Sequence, residues 1–323
     1  MNKHVEQTGQ APTLALRTPW RKGLAALLMA GLAGVPIYAW WAQDVYALTL
    51  FGRILAFSLA AMGLNLALGF GGMVSLGHAM YIGLGAYAVG ILSSLGIHAG
   101  WLHITSAVLV TVLIAAPLGW VALRTQGIAF IMITLAFAQL FYYVFVSLKT
   151  FGGDDGISLQ QLSDFGFLTG NKYAIYVSLL ITVLLALWAL EHVVASRFGL
   201  VLRASKVNAR RVHALGANGL PYRITAYVIS AVLCALSGFF LANLTGFVSP
   251  AMMTWAVSGE LIVMVLLGGM GSVFGPIVGA FALLLTEEGL KLLTERWPMI
   301  MGPLIVLIVI YLKRGLWGLL EER

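Results

Sequence analysis

The chain has 323 residues, of which 60% are hydrophobic and 10% are charged, with a net charge of +7. This composition excludes a soluble globular protein, in which roughly 45–50% of residues are apolar and about 25% are charged. The apolar runs can cross about 30 Å of hydrocarbon as helices and show no alternating pattern, which argues against a membrane barrel. We therefore predict an all-α polytopic integral membrane protein. The single cysteine, Cys234, allows neither an internal disulfide nor a cysteine metal site.

The N-terminus predicts a flexible cytoplasmic tail over residues 1–21, followed by a retained first span that ends in Trp40 and Trp41 rather than in a cleavage site. A membrane domain is predicted over residues 22–313 and a cytoplasmic C-terminal tail over 314–323. About ten transmembrane helices are expected, of which the eighth is short and the ninth carries charges. Their predicted bounds are 22–41, 45–69, 78–95, 101–123, 127–148, 173–195, 222–245, 257–270, 274–293 and 299–313.

Basic residues are distributed unevenly between the two sides of the membrane that ten spans would create. Fourteen Lys and Arg residues fall in segments on the side of the termini, and four fall in segments on the other side. Because Lys and Arg beside short loops resist translocation, this bias predicts that both termini lie in the cytoplasm. The positive net charge thus serves membrane topology and requires no nucleic-acid partner.

The longest predicted loop on the outer, periplasmic side covers residues 149–172. It contains the run GGDDG at residues 152–156. Gly and Asp tolerate positive φ, so this run predicts a turn. The loop is either a plain solvated turn or, alternatively, a contact for an external partner or part of an outer vestibule.

The predicted cytoplasmic loop over residues 196–222 is the main polar segment of the second half. The stretch from Arg197 to Arg223 holds six basic residues and no acidic one. Within it, residues 203–216 (RASKVNARRVHALG) predict a short helix closed by Gly216, which would offer a docking surface to a cytoplasmic partner. The chain has no G-x-x-x-x-G-K-[ST] loop for a nucleotide phosphate, and we expect it to bind no cofactor itself.

Two glycine-rich runs, residues 68–86 and 267–280, interrupt the predicted spans and share the pattern Gly-Gly-Met-x-Ser. In lipid, a broken helix is tolerated only where protein or a water-filled cavity satisfies the freed backbone groups. Paired breaks therefore favour a translocation path or gate, and close helix packing is the alternative interpretation. The candidate path residues are Asn65, Gly71, Gly72, Ser75, His78, Gly268, Gly269 and Ser272.

Few other ionisable residues lie within the predicted spans. A lone histidine such as His78 is more often a packing residue than a proton carrier, although ionisable groups at depth usually face a bundle interior or a cavity. Arg53 is expected to pair with an acid or to extend to the interface. Glu260 begins the eighth predicted span and is expected at the interface, whereas one of Glu287 and Glu288 in the ninth is either a buried ion-pair partner or interfacial. Contact of His78, Glu260 or Glu287 with substrate is left open. No histidine has metal-ligand spacing, so no metal site is predicted.

Four blocks of the chain carry a further signal: GLNLALGFGGMVSLGHAMYIGLGAYAVGIL (63–92), GGDDGIS (152–158), SRFGLVLRASKVNARRVHALGAN (196–218) and ELIVMVLLGGMGSVFGPIVGA (260–280). In their order and spacing, these blocks resemble the branched-chain amino-acid ABC transporter permeases, in particular the LivM-type subunit. The resemblance implies one of two different permease subunits of an inner-membrane importer. Its partners would be two cytoplasmic ATPases, which bind ATP and Mg, and a periplasmic solute-binding protein.

The resemblance further implies that the basic helix is the element that couples the ATPases to the membrane domain. Its candidate coupling residues are Arg203, Asn208, Arg211, Ala214 and Gly216. Members of the family often carry acids in this helix at positions where this chain has Val207, Ala209 and His213.

The resemblance implies a permease without enzymatic activity, which forms the path for branched-chain or related amino acids. The same family also moves urea, amides and aromatic acids, and these are alternative substrates. A different class, an ion-coupled secondary transporter, would use His78, Glu260 or Glu287 as its coupling group. A membrane-embedded enzyme is a weaker third interpretation. The basic helix, together with the lack of a clear acid relay in the predicted spans, favours the ATPase-coupled permease.

Overall fold

The computed structural model describes residues 19–166, 171–311 and 315–319, and most of them are helical. A π-helical turn, Leu66–Phe70, extends α2. Two short strands, β1 (Ile157–Ser158) and β2 (Phe247–Val248), pair in antiparallel register. Within the described ranges the helices are α1 Pro19–Ala42, α2 Val45–Asn65, α3 His78–Ser94, α4 Gly100–Ala122, α5 Ile128–Ser147, α6 Lys172–Ala195, α7 Arg197–Ala214, α8 Gly219–Thr245, α9 Trp255–Gly268, α10 Gly275–Leu293, α11 Trp297–Tyr311 and α12 Gly315–Leu319.

Six helices of the described chain are long and apolar enough to cross a membrane: α1, α2 with its π-helical turn, α4, α5, α6 and α8. The other four predicted spans coincide with α3, α9, α10 and α11, which are shorter or carry charges. A helix of about 20 residues is needed to cross about 30 Å of hydrocarbon. The protein is thus an all-α, multi-pass membrane protein, and the number of ten spans stays a prediction.

The centre of the bundle is α8, which packs against α2, α3 and α4. Small residues permit this close approach, since a Cβ atom at Gly85 would strike the backbone of Ala235 and one at Gly238 would strike the backbone of Ile82. Backbones that come this close gain van der Waals contact, which is the main attraction between helices in lipid. Gly85 and Gly238 therefore serve helix packing.

The bundle has two ends, which we name by the elements that lie there. The α7 end holds α7 and the segment after α2, because Lys206 of α7 donates a hydrogen bond of 2.7 Å to the carbonyl of Gly69. The loop end, at the other side of the bundle, holds β1, β2 and the loop that follows α5.

The loop after α5 is pinned to the bundle. His103 of α4 is fully buried and its Nδ1 atom lies 2.7 Å from Ser163 Oγ in the loop. The backbone N–H of Ser163 donates to the side-chain oxygen of Asn243 in α8 at 2.9 Å. The predicted turn at residues 152–156 contains three glycines with positive φ. The loop is therefore held as a fixed cap, although residues 167–170 of the predicted segment lie outside the described residues.

The two predicted tails fall largely outside the described residues. Residues 1–18 of the N-terminal tail are not among them, and α1 begins at Pro19. Part of the predicted C-terminal tail forms α12, and the ring of its buried Trp317 lies 4.8 Å from that of Phe274, between centroids. This contact holds α12 against the segment between α9 and α10.

Candidate functional site

The first break, residues 71–77, separates the π-helical turn after α2 from α3. Helical bonding continues as far as Gly72, whose N–H donates to the carbonyl of Leu68 at 3.1 Å. Gly72 then adopts φ +68°, a left-handed conformation that residues with a Cβ atom disfavour. Ser75 Oγ accepts a hydrogen bond of 3.1 Å from the N–H of Gly77, just before α3 begins. The first break is thus a defined turn that starts at Gly72 and ends at Gly77, whose N–H is held by Ser75.

The second break, residues 269–274, separates α9 from α10. Gly269 and Gly271 have φ values of +110° and +84°. Ser272 Oγ accepts a hydrogen bond of 2.9 Å from the N–H of Gly275, the first residue of α10. In the shared sequence pattern, Gly269 and Ser272 correspond to Gly72 and Ser75. Both patterns therefore place a positive-φ glycine before a serine whose hydroxyl accepts a backbone N–H at the start of the next helix, from Gly77 just before α3 and from Gly275 in α10.

Asn65 joins the two breaks. Its side-chain nitrogen donates to the carbonyl of Ser272 at 2.8 Å, and its side-chain oxygen accepts from the N–H of Gly271 at 3.2 Å. Asn65 is only 2% exposed, so both bonds are shielded from water. A Cβ atom at Gly69 would lie 2.9 Å from the backbone nitrogen of Gly271, which shows how closely the π-helical turn and the second break approach. One buried amide thus satisfies two backbone groups that the second break leaves without helical partners.

Lys206 links α7 to the first break, and the sequence analysis did not identify it as a site residue. Its ammonium donates to the carbonyl of Gly69, and its side chain lies over Gly72, where a Cβ atom would come within 2.8 Å of Lys206 Cγ. Burial lowers the pKa of Lys206 because desolvation disfavours its charged form. Lys206 is one of six basic residues in its loop, so its sequence context alone gave no signal for this contact.

His78, the first residue of α3, contacts α8. Its Nε2 atom lies 2.9 Å from Ser230 Oγ, and its ring meets those of Tyr81 and Tyr227 edge to face. The histidine is fully buried, and its Nδ1 atom has no hydrogen-bond partner among the described residues. These contacts fit the packing interpretation of His78.

The first glycine of each shared pattern lies in a tight contact. A Cβ atom at Gly268 would strike the carbonyl of Gly275, so Gly268 allows α9 and α10 to approach closely. A Cβ atom at Gly71 would lie 2.7 Å from the carbonyl of Ala67. Packing between helices thus explains Gly268, the crowded turn just before Gly71 explains that glycine, and the positive φ values explain Gly72 and Gly269.

The helix predicted over residues 203–216 is longer and less regular than expected. It begins at Arg197, and Asn208 is extended inside it, with φ −158°. The side-chain oxygen of Asn208 accepts a hydrogen bond of 3.0 Å from the N–H of Arg211, so Asn208 caps the second half of α7. Arg203 bends back and donates to the carbonyl of Gly199 at 3.2 Å. Asn208 and Arg203 therefore have local structural partners that the sequence pattern did not predict.

The end of α7 follows the predicted form. Gly216 adopts φ +83°, and the N–H of Ala217 donates to the carbonyl of Val212 at 3.2 Å. This bond is part of the glycine-dependent arrangement that closes many helices. Arg211 and Ala214 are exposed, as are Val207 (84%) and Leu215 (86%). The exposed face of α7 is thus both basic and apolar, which is typical of a surface that binds another protein.

Sequence comparisons establish the family. Residues 46–311 match the family described as branched-chain amino acid transport system / permease component. The chain belongs to this permease family. It is 27% identical to the high-affinity branched-chain amino acid transport system permease protein LivM of Salmonella typhimurium and to that of Escherichia coli, over 91% of this chain and 74% of each relative. It is 26% identical to the permease protein LivH of Escherichia coli, over 81% of this chain and 91% of that protein. No solved structure matches the chain.

One cluster of ionisable residues in this permease, on α2 and α10, lies away from the breaks, toward the loop end of these helices. Glu287 is 8% exposed and accepts from Lys291 at 2.6 Å and from Arg53 at 3.5 Å. Tyr46 donates to Glu288. Glu260 is exposed and has no hydrogen bond or ion pair within the described part of the chain. Glu287 is therefore a buried ion-pair partner, one of the two alternatives that its sequence position allowed.

Proposed function

We propose that this chain is the LivM-type permease subunit of an ATP-driven importer and forms part of the path for branched-chain or related amino acids. Its family and its likeness to the LivM and LivH permeases support this class. The observation that carries the mechanism is the hydrogen bond between Lys206 of α7 and the carbonyl of Gly69. This bond connects an exposed, partner-binding helix to the backbone beside the first break.

The two breaks form the gate at the α7 end in this proposal. Asn65 ties the second break to the end of α2, so a movement of the first break reaches the second. Gly72 and Gly269 both have positive φ. Because they have no side chains, their backbones can change conformation without a steric clash. Gly71, Ser75 and Ser272 fix the ends of the two turns, while His78 and Gly268 act through packing.

The likeness to two permeases, the exposed face of α7 and the loop end each indicate a partner of this chain. A second, LivH-type permease would complete the membrane domain, since the chain resembles both members of that pair. Two ATPases, which bind ATP and Mg, would dock on α7 through its exposed basic and apolar face, and this chain would hold no cofactor. A periplasmic binding protein would deliver substrate at the loop end. Both termini and α7 would then lie in the cytoplasm of a bacterium, with the chain in the inner membrane.

The coupling runs from α7 to the gate. Closure of the ATPases would move α7, Lys206 would displace the π-helical turn, and the path would open or close at the α7 end. Such coupling is reciprocal, so the arrival of loaded binding protein must favour the ATPase state that drives the movement. The coupling face in this mechanism comprises Arg211, Ala214 and Gly216, with Arg203 and Asn208 holding the shape of α7.

An ion-coupled secondary transporter finds less support. Its candidate coupling groups include Glu287, which is held by Lys291 and Arg53, and His78, which packs on α8. A proton or ion carrier needs to change its charge during transport, and these contacts oppose such a change. Urea, amides and aromatic acids stay alternative substrates, because the gate described here selects none of them.

Reconstitution tests the proposal. The chain is placed in proteoliposomes with its partner permease and ATPases, with ATP enclosed on the ATPase side and loaded binding protein on the other. We expect uptake of labelled leucine that requires ATP hydrolysis and persists when ionophores collapse ion gradients. Uptake that follows an ion gradient without ATP would contradict the class. ATP-driven uptake of urea or an aromatic acid but not of leucine would change the proposed substrate and leave the class of transporter as proposed.

A further inference from the structure

A cavity of about 300 Å³ lies between the first break and α7. Residues 71–74 of the first break form one wall, and residues 205–207 of α7 form another. The connection between α4 and α5 and the first turns of α5 and α8 close the remaining sides, through Gln126, Phe130 and Arg223. The transport mechanism proposed above uses the bond from Lys206 to Gly69 but assigns no ligand to this space.

Among the described residues, the charged ones that line the cavity are all basic. Lys206 and Arg223 line it, and no Asp or Glu of the described chain does so. Arg223 is half-buried. Charged groups of one sign in a partly closed, low-dielectric site raise the local potential and attract counter-ions. The cavity therefore favours an anion.

Two polar groups in the cavity wall have no partner. Ser205 Oγ and Arg223 Nε are buried and make no hydrogen bond with any described residue. Ser205 is 7% exposed. Because buried polar groups are nearly always hydrogen-bonded, two unpartnered donors on residues that line one cavity point to a bound group that supplies acceptors. A phosphate group, with several acceptor oxygens and negative charge, satisfies both donors and also suits the nearby ammonium of Lys206.

We propose that this cavity binds a phosphate group through Arg223, Ser205 and Lys206. Two sources share this chemistry, the headgroup of an anionic phospholipid and free inorganic phosphate. The bound group would bridge α7, α8 and the first break, and would thereby stiffen the connection through which α7 acts on the gate.

The surroundings of the cavity favour the lipid source. Phe130 and Ile131 line it at the start of α5. The neighbouring residues Ile128 and Met132 are 75% and 53% exposed, so an apolar face of α5 continues outward from the cavity. A phospholipid could lay its acyl chains on this face while its phosphate reaches Arg223. Basic residues close to a membrane surface attract anionic lipids in this way.

Binding to the delipidated complex of the full-length chain tests the proposal. The probes are short-chain phosphatidylglycerol, diacylglycerol of the same chain length, and inorganic phosphate, measured by native mass spectrometry and by titration. We expect Arg223→Gln to weaken binding of the phosphate-bearing probe by at least about tenfold, or about 1.4 kcal/mol. Ser205→Ala should cause a smaller loss and Arg223→Lys should retain most of the affinity. Arg197→Gln, which removes an exposed charge elsewhere on α7, is the matched control and should bind like the wild type.

Each outcome decides the proposal. Phosphatidylglycerol binding that exceeds diacylglycerol binding and depends on Arg223 supports the lipid source, and Arg223-dependent binding of inorganic phosphate alone supports the soluble source. Equal binding of phosphatidylglycerol and diacylglycerol, together with no Arg223-dependent binding of inorganic phosphate, overturns the proposal. Equal binding of the phosphate-bearing probes by the wild type and a folded Arg223→Gln variant overturns it as well. Absence of binding by both phosphate-bearing probes overturns it too. Thermal unfolding of each complex, together with the Arg223→Lys result, separates loss of the site from loss of the fold.

Discussion

The two breaks share a sequence pattern and a backbone arrangement but differ in what they touch. The first break contacts α7, since Lys206 covers Gly72 and bonds to Gly69. The second break contacts Asn65 at the end of α2 and the docked helix α12. The difference assigns the breaks separate tasks in the proposed mechanism. The first receives the movement of α7, and the second follows through one buried amide.

The shared pattern therefore describes conformation better than role. Gly72 and Gly269 occupy the same place in the pattern and both have positive φ, yet only Gly72 lies under a side chain of α7. Gly71 and Gly268 precede them, and of these two only Gly268 permits two helices to pack closely. Substitutions that separate packing from conformation will sharpen this distinction.

The largest effect is expected from the glycines of the two patterns. In Gly72→Leu, the side chain would press on Lys206 and the left-handed conformation would cost about 1–2 kcal/mol, so the gate should fail while the helices still pack. In Gly268→Leu, the side chain would force α9 and α10 apart, so the folded complex should be lost. Uptake and the yield of detergent-extracted complex measure both variants.

The control for these two variants is Gly259→Leu. Gly259 lies in α9, and a Cβ atom there meets nothing within 4 Å. Normal yield and uptake are expected. If Gly72→Leu reduced assembly as much as Gly268→Leu does, the first break would serve packing and the distinction between the two glycines would be wrong.

A smaller but still substantial effect is expected from Asn65→Leu, which removes the bridge between the breaks. The N–H of Gly271 and the carbonyl of Ser272 would lose their buried partner, at a cost of roughly 1–3 kcal/mol for each group. Uptake should fall with ATP hydrolysis largely retained, and the complex should unfold at a lower temperature. Asn65→Asp keeps one acceptor for Gly271 and should lie between the wild type and Asn65→Leu. Full uptake in Asn65→Leu would show that the two breaks act independently.

The smallest effect is expected at the end of α7. Gly216 has φ +83°, and a Cβ atom there would meet nothing within 4 Å. A substitution at Gly216 therefore causes backbone strain but no steric clash. Gly216→Val should strain or unwind the last turn, at a cost of about 1–2 kcal/mol, and should weaken ATPase association several-fold. Gly216→Asn should be tolerated, because Asn adopts this conformation more readily. Co-purification of the ATPases with each variant measures the effect. If Gly216→Val and Gly216→Asn both bound the ATPases as well as the wild type does, the end of α7 would not belong to the coupling face.

Local sequence signals predicted the features that depend on neighbouring residues. The glycine pattern anticipated the end of α7 at Gly216 and the turn at residues 152–156, because positive φ has a strong residue preference. The contacts of Asn65 and Lys206 could not be predicted in this way, since their partners lie 207 and 137 residues away along the chain. The kink at Asn208 was also missed, because the sequence analysis treated the basic run as one continuous helix, although Asn favours caps over helix interiors.

The link through Lys206 is the central claim, and the number of substrate molecules imported per ATP hydrolysed tests it most directly. Lys206→Met keeps the length of the side chain but removes the donor to Gly69, whereas Arg197→Met removes an exposed charge from the same helix. The account predicts that Lys206→Met assembles and hydrolyses ATP but imports far fewer substrate molecules per ATP, while Arg197→Met retains the wild-type ratio. A wild-type ratio in Lys206→Met would contradict the claim that α7 drives the gate through this residue.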